Sequence, residues 1–404
     1  MSPFEAELQQ RLTEIREKGL YRELRQINSA QGPVLQLEGR EFLNFSSNDY
    51  LGLANEPSIA QAAIEAIRRH GAGSGASRLV SGSLAPHHEL EDAIASFKGT
   101  QAALSFSSGY AAALGAICAL MSKTDLIVID KLVHASIVDA ARLSGAKLRV
   151  FRHNDLNDLE KILRWADQRA ASAIDSAPTA RRSRILVVTE SVFSMDGDFA
   201  PLQEIIELKD KFGAWLMVDE AHAIGLYGKH RRGRAEALNI AGQIEVQMGT
   251  LGKAIGASGG FIGGPQHLIA YLVNRARSFM FSTAPVPAAA AAATAAIRLA
   301  QSDEGERRRT RLFELMGQLR KSWPSLSCQH DAPGCPIIPL LIGGEIEAVQ
   351  MASSLRTRGL LIPAIRYPTV PRGKARLRLT LTAAHTPEQI SWLAAVAAEL
   401  GLNP

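Results

Sequence analysis

Short apolar runs punctuate the first two thirds of the chain, at 103–106, 126–130, 148–152, 185–190, 215–219, 246–250 and 261–263. Most are continuous rather than alternating, and between them lie stretches of helical character at 110–121, 136–144, 156–168 and 202–212. Continuous apolar strands separated by helices predict a largely parallel sheet of seven strands covered on both faces. The polar residues that close these runs then line one edge, which is where open α/β sheets bind ligands.

Beyond residue 285 the pattern changes to a long helix, a strand near 337–342, a helix over 345–358, strands near 361–364 and 376–380, and a closing helix from Pro387. That is a smaller α+β domain. The predicted division is an N-terminal helix and arm over 1–50, a large α/β domain over 51–284 and a small domain over 285–404. Ser2-Pro3-Phe4-Glu5 has the form of a capping box with proline at the first helical position, and the helix it opens carries an apolar face of Phe4, Leu8, Leu12 and Ile15. The alanine run at 288–293, preceded by Pro285 and Pro287, predicts a buried helix too short to span a membrane. The polar, breaker-rich segment 172–184 predicts a surface loop.

At 404 residues, 46% hydrophobic and 21% charged, the chain has the composition of an ordinary soluble globular protein with a large core. The net charge of +5 is dispersed and aromatics are sparse, which favours an anionic small-molecule substrate over nucleic acid. Two basic clusters, at 229–232 and 307–311, are expected on solvated loop and helix faces. Three cysteines, Cys118, Cys328 and Cys335, are too few and too poorly spaced for a disulfide framework or a metal site, so a reducing compartment fits. The N-terminus lacks a charged-then-apolar leader, and a cytoplasmic location is the expectation.

The most specific chemistry lies in Thr250-Leu251-Gly252-Lys253-Ala254-Ile255-Gly256, downstream of Val218-Asp219-Glu220-Ala221-His222. A lysine that must form an imine needs a constrained turn with small neighbours, and an aspartate at a strand end can hold a pyridinium nitrogen protonated. Together they make the pyridoxal-phosphate (PLP) arrangement. The competing reading of Asp-Glu-Ala-His as the acidic box of an NTPase needs an upstream glycine-rich loop ending in Gly-Lys-Ser/Thr. None exists. Gly71-Ala72-Gly73-Ser74-Gly75-Ala76 follows a predicted helix and not a strand, which rejects a dinucleotide fingerprint. Ser107-Ser108-Gly109-Tyr110 does stand between a strand and a helix, where its amides form either a phosphate cradle or an ordinary turn. His134 is either a ring-stacking residue or a helix cap, His222 a ligand contact or a core histidine, and Ser194 a contact or a turn residue.

Taken with Asn44 to Leu53, Gly73-Ser74-Gly75, His134-Ala135-Ser136, Phe193 to Gly197 and Tyr367 to Thr386, these motifs resemble the α-oxoamine synthases, PLP enzymes of fold type I, over essentially the whole chain. The resemblance implies a transferase that condenses an amino acid with an acyl thioester and releases carbon dioxide. It assigns the imine to Lys253, the pyridine nitrogen to Asp219 and ring stacking to His134. Ser194 and His222 take the ring hydroxyl side, while Thr250 and the backbone of Gly109 and Tyr110 take the phosphate. Asn48, His134 and Arg378 address the amino-acid carboxylate, and Arg22, Arg366 and Thr369 the acyl substrate. A homodimer is implied. Within the family, Ala364 to Pro371 followed by Arg376 to His385 is most similar to members that join L-alanine to a pimeloyl thioester, on coenzyme A (CoA) or acyl carrier protein, in biotin biosynthesis. Tyr367, where those members often carry proline, resembles the glycine-using 5-aminolevulinate synthases instead. 2-Amino-3-ketobutyrate CoA ligase and serine palmitoyltransferase are the further alternatives.

Overall fold

The computed structural model describes residues 1–176, 183–324, 326 and 334–402. Its residues form two compact units, one of 56–194 with 199–307 and the other of 1–55, 195–198 and 308–402.

The larger unit is built on one seven-stranded sheet. Its strands are β3 (Ala102–Phe106), β4 (Leu126–Asp130), β5 (Lys147–Phe151), β6 (Ile185–Glu190), β7 (Trp215–Asp219), β8 (Val246–Thr250) and β9 (Gly260–Gly264), numbered after two strands, β1 (Val34–Leu37) and β2 (Arg40–Asn44), of the smaller unit. The order is β3-β9-β8-β7-β6-β4-β5, parallel except where β9 runs antiparallel to β3 and β8. Side chains alternate across a strand, so each run feeds two cores. Ile127, Ile129, Leu186, Val188 and Met217 pack on one face with helices Gly109–Leu120 and Ala135–Leu143. Leu126, Val128, Ile185, Val187, Leu216 and Val218 pack on the other, with helices Leu156–Ser176 and Leu202–Lys211. Burial on both sides explains why these strands read as continuous apolar runs.

The smaller unit carries two three-stranded sheets. One is β1-β2-β11, with β11 at Leu360–Leu361, and the other is β10-β13-β12, formed by Ile337–Gly343, Ala375–Thr380 and Ala364–Ile365. His385 is a satisfied core histidine here. Its ring stacks on Phe45 at 4.5 Å, its Nε2 pairs with the Asn44 carbonyl at 3.1 Å, and burial pushes its pKa down to about 4.

Several expectations are corrected. The single strand near 361–364 is two short strands in different sheets, because Pro363 interrupts the run and cannot donate to a ladder. Helix Leu156–Ser176 continues through 172–176, which had read as loop; 177–182 lie outside the described residues, as does Cys328. The buried alanine-rich helix exists as Pro287–Gln301, but it belongs to the larger unit, against helices Pro57–His70 and Ala85–Lys98, and so falls on the other side of a boundary at 285. The basic clusters are not simply solvated: Arg231 is buried, donating to the Ala300 and Gln301 carbonyls and pairing with Glu306, while Arg308 donates to the Gly52 carbonyl. The N-terminal helix Pro3–Glu17 has its capping box, yet Phe4, Leu8, Leu12 and Ile15 are all exposed. Among the described residues no helix is long and apolar enough to cross a membrane.

Candidate active site

In the larger unit the ends of β4, β6, β7 and β8 present Asp130, Glu190, Asp219 and Thr250. These strands are parallel neighbours, so the four residues share the carboxyl edge of the sheet. Lys253 follows β8 in a turn closed by bonds from Gly256 N to the Lys253 carbonyl at 2.7 Å and from Ala257 N to the Leu251 carbonyl at 2.8 Å. Its Nζ lies 2.7 Å from Nε2 of His222, which follows β7. His222 is buried, so this lysine and imidazole meet within a structured setting rather than in bulk water.

Asp219 is buried at the end of β7 and its Oδ1 accepts from the Ala221 amide at 2.9 Å. Burial pushes its carboxyl above the usual range, while the charge of Lys253, the Ala221 amide and His134 pull it back. A cation placed beside it would pull further in that direction. Lysine and aspartate predicted from separate motifs are thus brought into electrostatic contact.

Ser107 and Ser108 separate β3 from helix Gly109–Leu120, with the Ser108 hydroxyl accepting from the Ala111 amide at 3.1 Å. The amides of Gly109 and Tyr110 open this helix and lie outside its own hydrogen-bond ladder. A Cβ on Gly109 would lie 3.8 Å from Thr250 Oγ1, and one on Gly260 would lie 2.5 Å from the Gly109 nitrogen. Only glycine at 260 lets β9 pass under the helix start. The result is a pair of amides at the positive end of a helix with Thr250 beside them, a ready anion site. The Thr250 hydroxyl donates to the Gly259 carbonyl at 3.0 Å, which fixes its rotamer.

His134 is the N-cap of helix Ala135–Leu143. Its Nδ1 accepts from the Ser136 amide at 3.2 Å and pairs with the Ser136 hydroxyl at 2.8 Å, and its backbone N–H donates to Glu190 Oε1 at 2.5 Å. The cap role is therefore present, and the charges of Asp219 and Lys253 both act on the ring. Ser194 ends the larger unit on a loop closed by the bridge between Val192 and Phe199. Tyr110 is half-exposed and its hydroxyl donates to Asp139 Oδ2 at 2.6 Å.

The remaining candidates belong to the smaller unit. Arg378 on β13 is buried and donates to the Tyr50 hydroxyl at 3.5 Å, which in turn donates to Asn48 Oδ1 at 3.3 Å. Burial raises the Tyr50 pKa, and Arg378 opposes it. Arg22 Nη2 donates to the Tyr367 carbonyl at 3.0 Å; Arg366 donates to the carbonyls of Gly19 and Tyr21; the Thr369 amide donates to the Arg366 carbonyl at 3.0 Å. Arg376, beside Arg378 in sequence, is instead paired with Asp196. Sequence reasoning passed over Glu190 and Asp130, whose only signal was an acid ending a largely apolar run.

A family model for aminotransferases of class I and II matches residues 40–396. An 8-amino-7-oxononanoate synthase from Anaeromyxobacter sp. (strain K) is 47% identical over 95% of this chain and 92% of its own. Among solved structures, a serine palmitoyltransferase from S. paucimobilis with a bound PLP–myriocin aldimine has a TM-score of 0.87 at 29% identity and covers 98% of both chains. An 8-amino-7-oxononanoate synthase from Francisella tularensis has a TM-score of 0.71 at 26% identity, covering 89% of this chain and 98% of that one.

Proposed function

The chain belongs to the class I and II aminotransferase family, and from that premise we propose that it is a PLP-dependent acyltransferase of fold type I. It joins L-alanine to a pimeloyl thioester and forms 8-amino-7-oxononanoate, carbon dioxide and the free thiol carrier, a step of biotin biosynthesis. The curated relatives carrying that activity's name support the substrates. The observation that carries the chemistry is Lys253, 2.7 Å from His222 and electrostatically coupled to the buried Asp219.

The residues fit PLP. Two helix-opening amides suit its phosphate, joined by the Thr250 hydroxyl if it exchanges its bond to the Gly259 carbonyl for one to the phosphate; a lysine in a small-residue turn suits its aldehyde carbon, and a strand-end carboxylate suits its ring nitrogen. When bound, the cofactor supplies an electron sink for the carbanion left by loss of the α-proton. Lys253 removes that proton and, after carbon–carbon bond formation and loss of carbon dioxide, returns one to the same carbon. The imidazole of His222 gives the lysine amine a fixed hydrogen-bond partner. Asp219 keeps a negative charge where a ring proton must be held. Ser194 and His222 are assigned to the ring hydroxyl, and His134 to the ring face. Arg378, with Asn48 and His134, is assigned to the amino-acid carboxylate, because a guanidinium grips a carboxylate through two parallel bonds. Arg22, Arg366 and Thr369 are assigned to the acyl chain. The reading includes a homodimer in the cytoplasm, with CoA or acyl carrier protein as the thioester carrier.

Turnover of alanine, glycine and serine against succinyl, pimeloyl and palmitoyl thioesters tests it. Alanine with pimeloyl thioester should be preferred. Faster turnover of glycine with succinyl-CoA would overturn the reading in favour of an aminolevulinate synthase.

A further inference from the structure

Glu190 closes β6 as the direct neighbour of Asp219 on β7, the two being Cα partners in a parallel pair. Partners in register point to the same face of a sheet, so both carboxyls emerge together on strands about 4.8 Å apart. Glu190 is 3% exposed. Its Oε1 takes the backbone N–H of His134, a group that precedes its helix and has no place in the helix ladder. A single amide needs only a neutral acceptor, and a glutamine would serve. An acid in this position is expensive, because a buried carboxylate is tolerated when a cation is bound to it.

The same unit contains the contrasting case. Glu220, equally buried, meets Lys98 Nζ at 2.5 Å and the Ala235 amide at 2.9 Å. Among the described residues Glu190 has no lysine or arginine within ion-pair distance. The titratable groups around it are Asp219 on β7, Asp130 on β4, His134 in the β4 turn, whose backbone supplies the amide, and Lys253 after β8, whose charge Asp219 shares. Asp130 is itself occupied by His153 at 2.9 Å and by the Leu132 and Asn154 amides. Burial first, and the charge of Asp219 second, push Glu190 up to about 8, so near neutral pH it stands mostly as the neutral acid.

Resting on the PLP reading above, we propose that Glu190 is a positioning residue: it clamps the His134 backbone from the strand beside Asp219 and spares Asp219 a second carboxylate charge on that adjoining strand. A neutral neighbour costs Asp219 no repulsion, whereas two adjacent carboxylates would raise each other's pKa.

The test compares Glu190→Gln and Glu190→Ala in the reconstituted holoenzyme and in the cofactor-free protein. Glu190→Ala removes the acceptor of the His134 amide, so cofactor Kd should rise about tenfold and the visible circular dichroism of the bound cofactor should change. Glu190→Gln keeps an acceptor and should rescue both. It removes the titrating group, so the carboxyl signal that titrates near pH 8 in infrared spectra of the cofactor-free protein should disappear. The proposal is overturned if that signal survives in Glu190→Gln, or if Glu190→Ala folds and leaves cofactor Kd and dichroism unchanged. Failure of Glu190→Ala to fold leaves the Glu190→Gln titration decisive. Wild-type protein that binds no PLP, or does not turn over alanine with pimeloyl thioester, would instead sink the underlying functional reading.

Discussion

Lys98 Nζ sits 2.5 Å from Glu220 Oε2, with the two side chains 1% and 0% exposed. Glu220 also accepts from the Ala235 amide, and Lys98 donates to the Arg232 carbonyl. Gly233, at φ +128°, passes so close that a Cβ there would lie 2.5 Å from Glu220 Oε1. Asp219 and Glu220 are consecutive in sequence and face different partners. The first is presented to the site; the second ties down the loop that follows the strand.

Removing one partner of such a pair leaves an uncompensated charge. Lys98→Met should destabilise the protein by about 3–5 kcal/mol, read as a lower urea midpoint with little change in slope. The Lys98→Met/Glu220→Gln pair should recover part of that loss. A midpoint within error of wild type for Lys98→Met would mean that Glu220 is neutral in the fold.

Lys253 and Asp219 separate by experiment. Borohydride reduction of the holoenzyme followed by peptide mapping should leave the cofactor on Lys253, and modification of Lys123 or Lys131 would sink the assignment. Asp219→Asn retains size and loses charge. A buried pair broken in this way costs about 3–5 kcal/mol, so exchange of the alanine α-proton into deuterated water should fall by roughly two to four orders of magnitude. Near-normal exchange would assign the ring nitrogen to another group.

These two residues stood out in the chain because Asp219 ends an unbroken apolar run and Lys253 lies in a turn of small residues just after a strand. The seven strands appear within about one residue of where the runs predicted them, since burial on both faces writes the strand directly into the sequence for all but the exposed edge strand β5. Glu190 was equally visible as an acid closing a largely apolar run, but its importance depends on register with Asp219, which no local pattern contains. Arg231 escapes local pattern for the same reason: its partners, the Ala300 carbonyl and Glu306, arrive from two distant helices. The run near 361–364 is split at Pro363, which has no amide to donate to a ladder, and its two halves join different sheets. Of the two readings of His134, the structure shows the cap, because its Nδ1 accepts from the Ser136 amide.

A further prediction follows from the sign of the Glu190 shift. An acid whose folded pKa, about 8, lies above its ordinary value of 4.5 binds more protons in the folded state across that window. Its contribution to stability is therefore fully present below the lower value and is lost as pH rises through the upper one. Urea unfolding at matched cofactor content, from about pH 5 to about pH 8, should show wild type losing stability relative to Glu190→Gln. Parallel curves would mean that Glu190 ionises normally.

The last prediction concerns the acyl substrate. Arg22 and Arg366 come close enough for Arg22 to depress the Arg366 pKa, after burial, and both are held by backbone carbonyls of Gly19, Tyr21 and Tyr367. Among the described residues neither has an acidic partner, and the Nε of Arg366 is buried with no acceptor. Two guanidiniums gathered by neutral groups repel each other, and an incoming anion removes that cost. A pimeloyl chain ends in such an anion; a palmitoyl chain does not. Arg366→Ala should therefore lower kcat/KM for a pimeloyl thioester by roughly ten- to a hundredfold, the range of a charged hydrogen bond, while an uncharged acyl chain of equal length loses much less. Arg22→Ala should act on the same end, and the double variant should cost less than the sum, because both side chains serve one carboxylate. Equal losses for charged and uncharged chains would take the arginine pair out of substrate recognition and leave it as a clamp on the N-terminal arm.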